Sequence, residues 1–362
     1  MKLFKCSHCG QLLYFENNRC EQCGYKLGFN AETLQLMPLL DMGNDTYWTY
    51  DEQDTTLYRY CTNYQFNVCN WLVPETHDSP FCQACSLNRT IPNISKTEYM
   101  TRWQTIEVAK HRLVYSLLRL KLPVLSKTTD PEKGLTFDFM ADEQGQKNKR
   151  VLTGHANGLI TINIAEADDI EREMARRAME ELYRTVLGHF RHEVGHYYWE
   201  RLIYNTENLG PFRQLFGDER TDYGQALQKH YAQGAPVDWD LKFISSYATA
   251  HPWEDWAETW AHYLHIIDTL ETAYAFGLKV RPEVVEAPFL AADINSDPFE
   301  LENFQDMMNL WLPLTFAMNS LNRSMGLSDP YPFVIRPKVI KKLSFIHQVV
   351  FAAKGKTLSE LG

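Results

Sequence analysis

Residues 183–203 read YRTVLGHFRHEVGHYYWERLI, and its centre, His192-Glu193-Val194-Gly195-His196, decides how the chain is read. On an α-helix, positions i and i+4 stand one above the other, so both imidazoles aim at one point. Glu193 is turned by about 100° from His192, beside that point rather than on it. Two imidazoles with a carboxylate alongside suit a divalent zinc ion and a base acting on its water. Leu187, Val194 and Leu202 supply an inward face, and nothing breaks the helix before Asn205. The bland alternative is a surface helix whose histidines and glutamate make i,i+4 contacts.

A zinc site that does chemistry needs a third protein ligand. Residues 245–265, SSYATAHPWEDWAETWAHYLH, place Glu254 and Glu258 one turn apart among Trp253, Trp256 and Trp260. So apolar a helix is buried, and buried carboxylates need a partner. Glu254 is assigned as third ligand. Glu258 would hydrogen-bond a ligand histidine and set its tautomer. A buried salt bridge to an arginine is the competing explanation. In GDERTD (217–222), Asp218, Glu219 and Asp222 are rival ligands, Glu219 standing 23 residues past His196. The neighbouring Arg220 points instead to a solvated ion-paired loop. His262 and His265 continue the Glu254/Glu258 helix and are read as core or supporting groups. His189 and Arg191 flank the motif as surface or supporting groups, Arg191 being a weak candidate for a substrate carboxylate.

All eight cysteines lie in the first 85 of 362 residues. Cys6, Cys9, Cys20 and Cys23 form two C-x-x-C pairs, each followed by a glycine, Gly10 or Gly24. Each turn brings two thiolates to one side of a metal, and the glycine relieves crowding near the sulfurs. Together they predict a closed structural zinc site of the ribbon type. Cys61, Cys69, Cys82 and Cys85 are looser, yet four thiols in one 25-residue window call for a common explanation, a second four-cysteine zinc site. His8 and His77 are bystanders on this reading. Two metals would let residues 1–90 fold with little core of their own.

Acidic residues outnumber basic ones by 46 to 36, a formal net charge of −10, which repels phosphate backbones and anionic lipid. Residues 1–30 hold only four Lys or Arg, so the ribbons are not expected to bind nucleic acid. No stretch is apolar enough to span a membrane, and the N-terminal residues lack the apolar core of an export signal. A cytoplasmic location with reduced cysteines is expected.

Elsewhere, residues 91–95 read as a linker and Ser95-x-x-Glu98 as a capping box. Tyr99, Trp103, Ile106, Leu113, Leu117 and Leu120 recur on one face of a leading helix over residues 95–122. Residues 125–150 read as a polar loop or hairpin ending in a basic run. Residues 158–165 read as a strand, expected at a sheet edge where an extended peptide could pair. From Asp168 onward two helices are expected, with a break near Glu180–Glu181, and then mostly helix with loops at 205–220, 232–240 and 284–298.

HEVGH, Tyr247 and Glu254-Asp-Trp-Ala257-Glu258 together resemble the gluzincin class of zinc metallopeptidases, as in thermolysin. They are closer still to the catalytic region of anthrax lethal factor, where a tyrosine stands seven residues before the ligand glutamate of an E-x-x-A-E pattern. That resemblance implies Tyr247 as donor to the oxyanion. The chain as a whole is similar to a bacterial family of zinc-binding metallopeptidases with an N-terminal zinc-ribbon region. The matching segments are Cys69-Asn-Trp with the cysteines around it, TRWQTIEVAKHRL, GHFRHEVGHYYWERL, HPWEDWAETWAHYLH and NSLNRSMGLSDPYPFVI.

The expected architecture is α+β and mostly helical. Residues 1–90 form a small double zinc-binding domain, residues 95–350 a zincin-like metallopeptidase domain, and residues 351–362 a tail. One catalytic and two structural zinc ions are expected, with a peptide or protein as substrate and the ribbons free to engage a protein partner. The rival function is an adaptor, in which the ribbons bind a protein and the zincin-like domain is only scaffold.

Overall fold

A computed structural model describes residues 2–49, 55–142, 151–168, 172, 185–284 and 286–361. The chain divides into two compact units, Met1–Arg119 with Val124–Asp169, and Leu120–Pro123 with Ile170–Gly362.

The first unit opens with a small hairpin, β1 (Phe4–Lys5) and β2 (Leu12–Leu13). A five-stranded antiparallel meander follows: β3 (Lys26–Asn30), β4 (Gln35–Gly43), β5 (Thr46–Thr49), β6 (Leu57–Tyr60) and β7 (Leu72–Pro74). It curls until its ends meet, with the Phe29 amide donating to the Asn70 carbonyl at 2.9 Å. Gly28 permits this closure, because a Cβ there would lie 2.3 Å from the Leu72 side chain.

The leading helix, α1 (Thr97–Arg119), buries Trp103, Ile106, Leu113 and Leu117 as the periodicity requires. Its expected capping box is not formed. Ser95 donates from both its amide and its hydroxyl to Asn93 Oδ1, and Glu98 pairs with Arg102 at 2.8 Å.

A second sheet contains β8 (Asn88–Thr90), β9 (Thr136–Met140), β10 (Gly154–Ala156) and β11 (Leu159–Asn163), in the order β10-β11-β9-β8. Two expectations are corrected here. Strand β9 lies inside the stretch expected to be a polar loop or hairpin, but it pairs in parallel with β8 and β11 and buries Phe137 and Phe139 fully. The surrounding polar residues masked a segment only five residues long. Strand β11 is interior, between β10 and β9, so its backbone is already paired and cannot receive a peptide. The basic run at 146–150 and the break near Glu180–Glu181 lie outside the described residues.

The second unit holds six helices among its described residues: α2 (Val186–Leu202), α3 (Leu209–Phe216), α4 (Tyr223–Gln233), α5 (Pro252–Ala275), α6 (Phe304–Ser324) and α7 (Pro337–Ala353). Helix α3 forms inside the expected 205–220 loop, burying Phe212 and Phe216 against Trp256. A two-stranded ribbon, β12 (Lys279–Val280) and β13 (Ala292–Asp293), completes the unit.

The packing of α2 on α5 positions the chemistry. Thr185 caps α2, its hydroxyl accepting from the Gly188 amide at 3.0 Å. His251 caps α5 with Nδ1 accepting from the Trp253 amide, and Pro252 fills the first turn, where no amide is needed. Gly195 lets the helices approach closely, since a Cβ there would meet Ala257 Cα and Trp260 Cδ1 at 3.1 Å. Trp256 Nε1 donates to the Gly195 carbonyl at 2.9 Å, and the Tyr198 and Trp260 rings stack 5.2 Å apart. Buried Lys342 pairs with Asp255 at 2.6 Å.

The architecture is thus a mixed one of helices and sheets. No helix among the described residues is long and apolar enough to cross a membrane.

Candidate metal centre

Close packing at Gly195 carries Glu254, on the first turn of α5, to the two histidines of α2. His192 Nε2 and His196 Nε2 lie 3.2 Å apart. Glu254 Oε2 is 3.0 Å from His192 Nε2, and Oε1 is 3.5 Å from His196 Nε2. Tetrahedral zinc with ligands at about 2.0–2.1 Å separates its donors by roughly 3.4 Å, close to these spacings between the two imidazole nitrogens and the Glu254 carboxylate. Glu254 is 1 % exposed, and its Oε2 accepts no hydrogen bond among the described residues. A buried carboxylate oxygen without a donor is costly unless a cation lies beside it. The donor set fits zinc.

The electrostatics agree. Burial works against the His192 imidazolium, but Glu254 and Glu258 outweigh it and hold its pKa well above the usual histidine value. Burial likewise opposes the Glu254 carboxylate, yet His196 and His192 pull its pKa well below the ordinary range. This spot favours positive charge, carried by a proton or by a metal.

Glu258 lies against His192. Its Oε1 is 2.6 Å from His192 Nδ1, so it accepts the Nδ1 proton and leaves the Nε2 lone pair to a metal. Ser245, which the sequence reading missed, donates to Glu258 Oε2 at 2.6 Å. Burial opposes ionisation of Glu258, but His192 and Ser245 keep its pKa below the usual carboxylate value. Glu193 lies one residue beyond His192, is 9 % exposed, and forms no hydrogen bond or ion pair with the described residues. The Tyr247 ring lies 6.1 Å from that of His192, and burial followed by the Glu254 charge raises its hydroxyl pKa, so it stays protonated.

A second missed residue is Tyr223, whose hydroxyl donates to Glu254 Oε1 at 2.7 Å. No spacing rule links position 223 to position 254. The rival ligands are engaged elsewhere. Glu219 takes Arg213 Nε at 2.9 Å, Asp218 takes Arg220, and Asp222 caps α4. Arg191 is buried against Asp268 at 2.6 Å, which withdraws it as a substrate anchor. His262 is a core group facing the Tyr331 hydroxyl at 2.8 Å. Glu254 and Glu258 are matched by histidines, tyrosine and serine, not by an arginine.

In the first unit, both cysteine quartets come together. Gly10 and Gly24 take φ of +81° and +77°, a left-handed conformation that glycine adopts without strain. Cys6 and Cys23 sulfurs lie 3.8 Å apart, Cys9 and Cys20 3.5 Å, and Cys69 and Cys82 3.6 Å. Those are far longer than a disulfide and close to the roughly 3.8 Å edge of a tetrahedron with Zn–S bonds of about 2.3 Å. Amides of Trp71 and Cys85 point at the Cys69 and Cys82 sulfurs, at 3.3 and 3.4 Å. His77 accepts from the Ser79 amide and His8 packs on Tyr25, neither of them joining a quartet.

The second quartet also has neighbours on α1 that its spacing does not reveal. His111 Nε2 is 3.7 Å from Cys85 Sγ, and fully buried Lys110 pairs with Glu107 at 2.7 Å. Burial works against the Lys110 ammonium, but Glu107 and Cys85 keep its pKa above the usual value. The Lys110 ammonium near these thiolates offsets part of the negative charge such a site carries, while His111 Nδ1 donates to the Glu107 carbonyl at 2.7 Å.

Comparison with known proteins adds to this geometry. A family model described as "Putative zinc-binding metallo-peptidase" matches residues 99–349, and one described as a zinc-ribbon domain matches residues 3–96. Uncharacterised proteins of Mycobacterium bovis and Mycobacterium tuberculosis are 42% identical over 351 residues, covering 97% of this chain and 95% of theirs. No solved structure matches significantly.

Proposed function

The chain belongs to the family described as "Putative zinc-binding metallo-peptidase", and from that premise we propose that it is a gluzincin-like zinc hydrolase of peptide bonds. The observation that carries this reading is the meeting of His192 Nε2, His196 Nε2 and Glu254 within 3.5 Å of one another, with Glu193 alongside and Glu258 on His192 Nδ1.

In this reading His192, His196 and Glu254 hold the catalytic zinc. Bound there, zinc supplies a Lewis acid that polarises a carbonyl and lowers the pKa of water to about 7. Glu193 takes the water proton as the peptide carbonyl is attacked, and then hands it to the leaving amine. Its freedom from other partners among the described residues leaves both oxygens available for that transfer. The protonated Tyr247 hydroxyl donates to the oxyanion as charge develops. Glu258, held by Ser245, keeps the His192 ring oriented throughout. Two further zinc ions are structural, on Cys6, Cys9, Cys20 and Cys23 and on Cys61, Cys69, Cys82 and Cys85. Residues 1–90 then serve as the ribbon-type region and residues 95–350 as the peptidase domain.

Glu193→Gln separates binding from chemistry. The variant is expected to keep three zinc ions per chain and to lose cleavage, read as new protein N-termini in cells carrying the wild-type protein but not the variant. Unchanged cleavage would remove Glu193 as the base. Two zinc ions in the wild type, both on cysteines, would remove the hydrolase reading and favour the adaptor.

A further inference from the structure

We infer that Tyr223 is a positioning residue for Glu254, its hydroxyl occupying one carboxylate oxygen so that the other is left to bind the metal. This rests on the proposed function and deepens it. The two oxygens of Glu254 are in different situations. Oε1 accepts the Tyr223 hydroxyl at 2.7 Å and stands off from His196 Nε2 at 3.5 Å. Oε2 accepts no hydrogen bond from a described residue and lies 3.0 Å from His192 Nε2. At 1 % exposure, Glu254 has little access to solvent that could replace the hydroxyl.

The tyrosine is well placed to enforce this asymmetry. It is the first residue of α4, directly after Asp222, whose side chain caps the helix by accepting from the Gln225 amide at 2.8 Å. Its ring packs edge-on to His251, 5.2 Å away, and to Trp253, 6.0 Å away, the residues flanking the start of α5. Helix α4 buries no residue of its own, so Tyr223 is held by these contacts rather than by the rest of its helix.

Two consequences follow from the bond. An unconstrained carboxylate can bind a cation through either oxygen or both, whereas a hydroxyl on Oε1 takes one of its lone pairs and weakens it as a donor, which favours binding through Oε2 and a low coordination number. Hydrogen bonds that orient a ligand in this way are worth about 10–100-fold in metal affinity.

The test uses the full chain and zinc itself. Wild type and Tyr223→Phe are titrated with dipicolinate while bound zinc is counted; the two cysteine-held ions serve as an internal reference for folding. Tyr223→Phe is expected to release the third zinc at about 10–100-fold lower chelator concentration and to keep the other two. Refilling the emptied third site with Co2+ reads coordination directly. The variant should show weaker visible absorption than wild type, as Glu254 turns to bind through both oxygens, a change that a purely structural role would not produce. Equal chelator resistance with an unchanged cobalt spectrum would overturn the inference and leave the proposed function standing. A wild type holding only two zinc ions would overturn both. If the Phe variant loses all three ions, Tyr223→His, which restores a donor, should recover the third; failure of that recovery in a folded His variant counts against the inference.

Discussion

Gly195→Ala adds one methyl group at the point where α2 and α5 touch. Its Cβ would lie 3.1 Å from Ala257 Cα and from Trp260 Cδ1, and 3.2 Å from Trp260 Cβ. Ordinary contacts begin near 3.4 Å, so the neighbouring helix must give by a few tenths of an ångström. One partner atom is backbone, so a side-chain rotation cannot absorb the clash. Overpacking of this kind costs about 1–3 kcal/mol, offset by about 1 kcal/mol because alanine favours helix over glycine. The net loss of stability is therefore small, about 0–2 kcal/mol. The metal centre is far less forgiving. Glu254 lies three residues before Ala257 on the same helix, and metal–ligand distances tolerate only about 0.2 Å. The expected outcome is at least tenfold weaker zinc binding at the histidine site, about 1.4 kcal/mol, with a nearly unchanged melting temperature. Chelator titration and thermal unfolding on the same samples separate the two effects. Gly210→Ala is the control, since nothing lies within 4 Å of its added Cβ. Zinc held as tightly as in the wild type would refute the claim that this helix contact sets the ligand geometry.

Tyr247→Phe is expected to lower turnover by about 100-fold, the usual effect of losing one oxyanion donor, with three zinc ions retained; loss of zinc instead would make Tyr247 structural. Stability should also depend on pH through His262, whose pKa burial pushes down to about 4 from 6.5, with Glu258 opposing the shift and Arg191 adding to it. The folded state then binds fewer protons than the unfolded state between those values. Its stabilising contribution is full above pH 6.5 and is lost as pH falls through 4, an effect of about 3 kcal/mol. His262→Gln should flatten that part of the melting-temperature profile relative to wild type; parallel profiles would mean that His262 is not buried in its neutral form.

Much of the site could be read without coordinates because helical periodicity is local. His192 and His196 share a face for any α-helix, and Glu254 with Glu258 does so for the same reason. A buried carboxylate among tryptophans then calls for a cation. The paired C-x-x-C turns are equally local, each closed by a glycine with positive φ. Short strands fared worse. Five residues of β9 inside a polar stretch carry too little periodic signal, and the interior position of β11 follows from pairing with β9, about 20 residues earlier.

By itself the sequence determined which residues can chemically bind metal and which of them share a helix face, because donor type and a 3.6-residue repeat are properties of the chain alone. Only the tertiary structure decided which oxygen of Glu254 is left without a hydrogen bond, that Tyr223 and Ser245 hold the two glutamates, and that His111 and Lys110 stand beside the second cysteine quartet. Those partners lie 31, 13 and about 26 residues away along the chain. No local repeat connects such positions; they meet only through the close packing that Gly195 permits in one unit and the burial of α1 in the other.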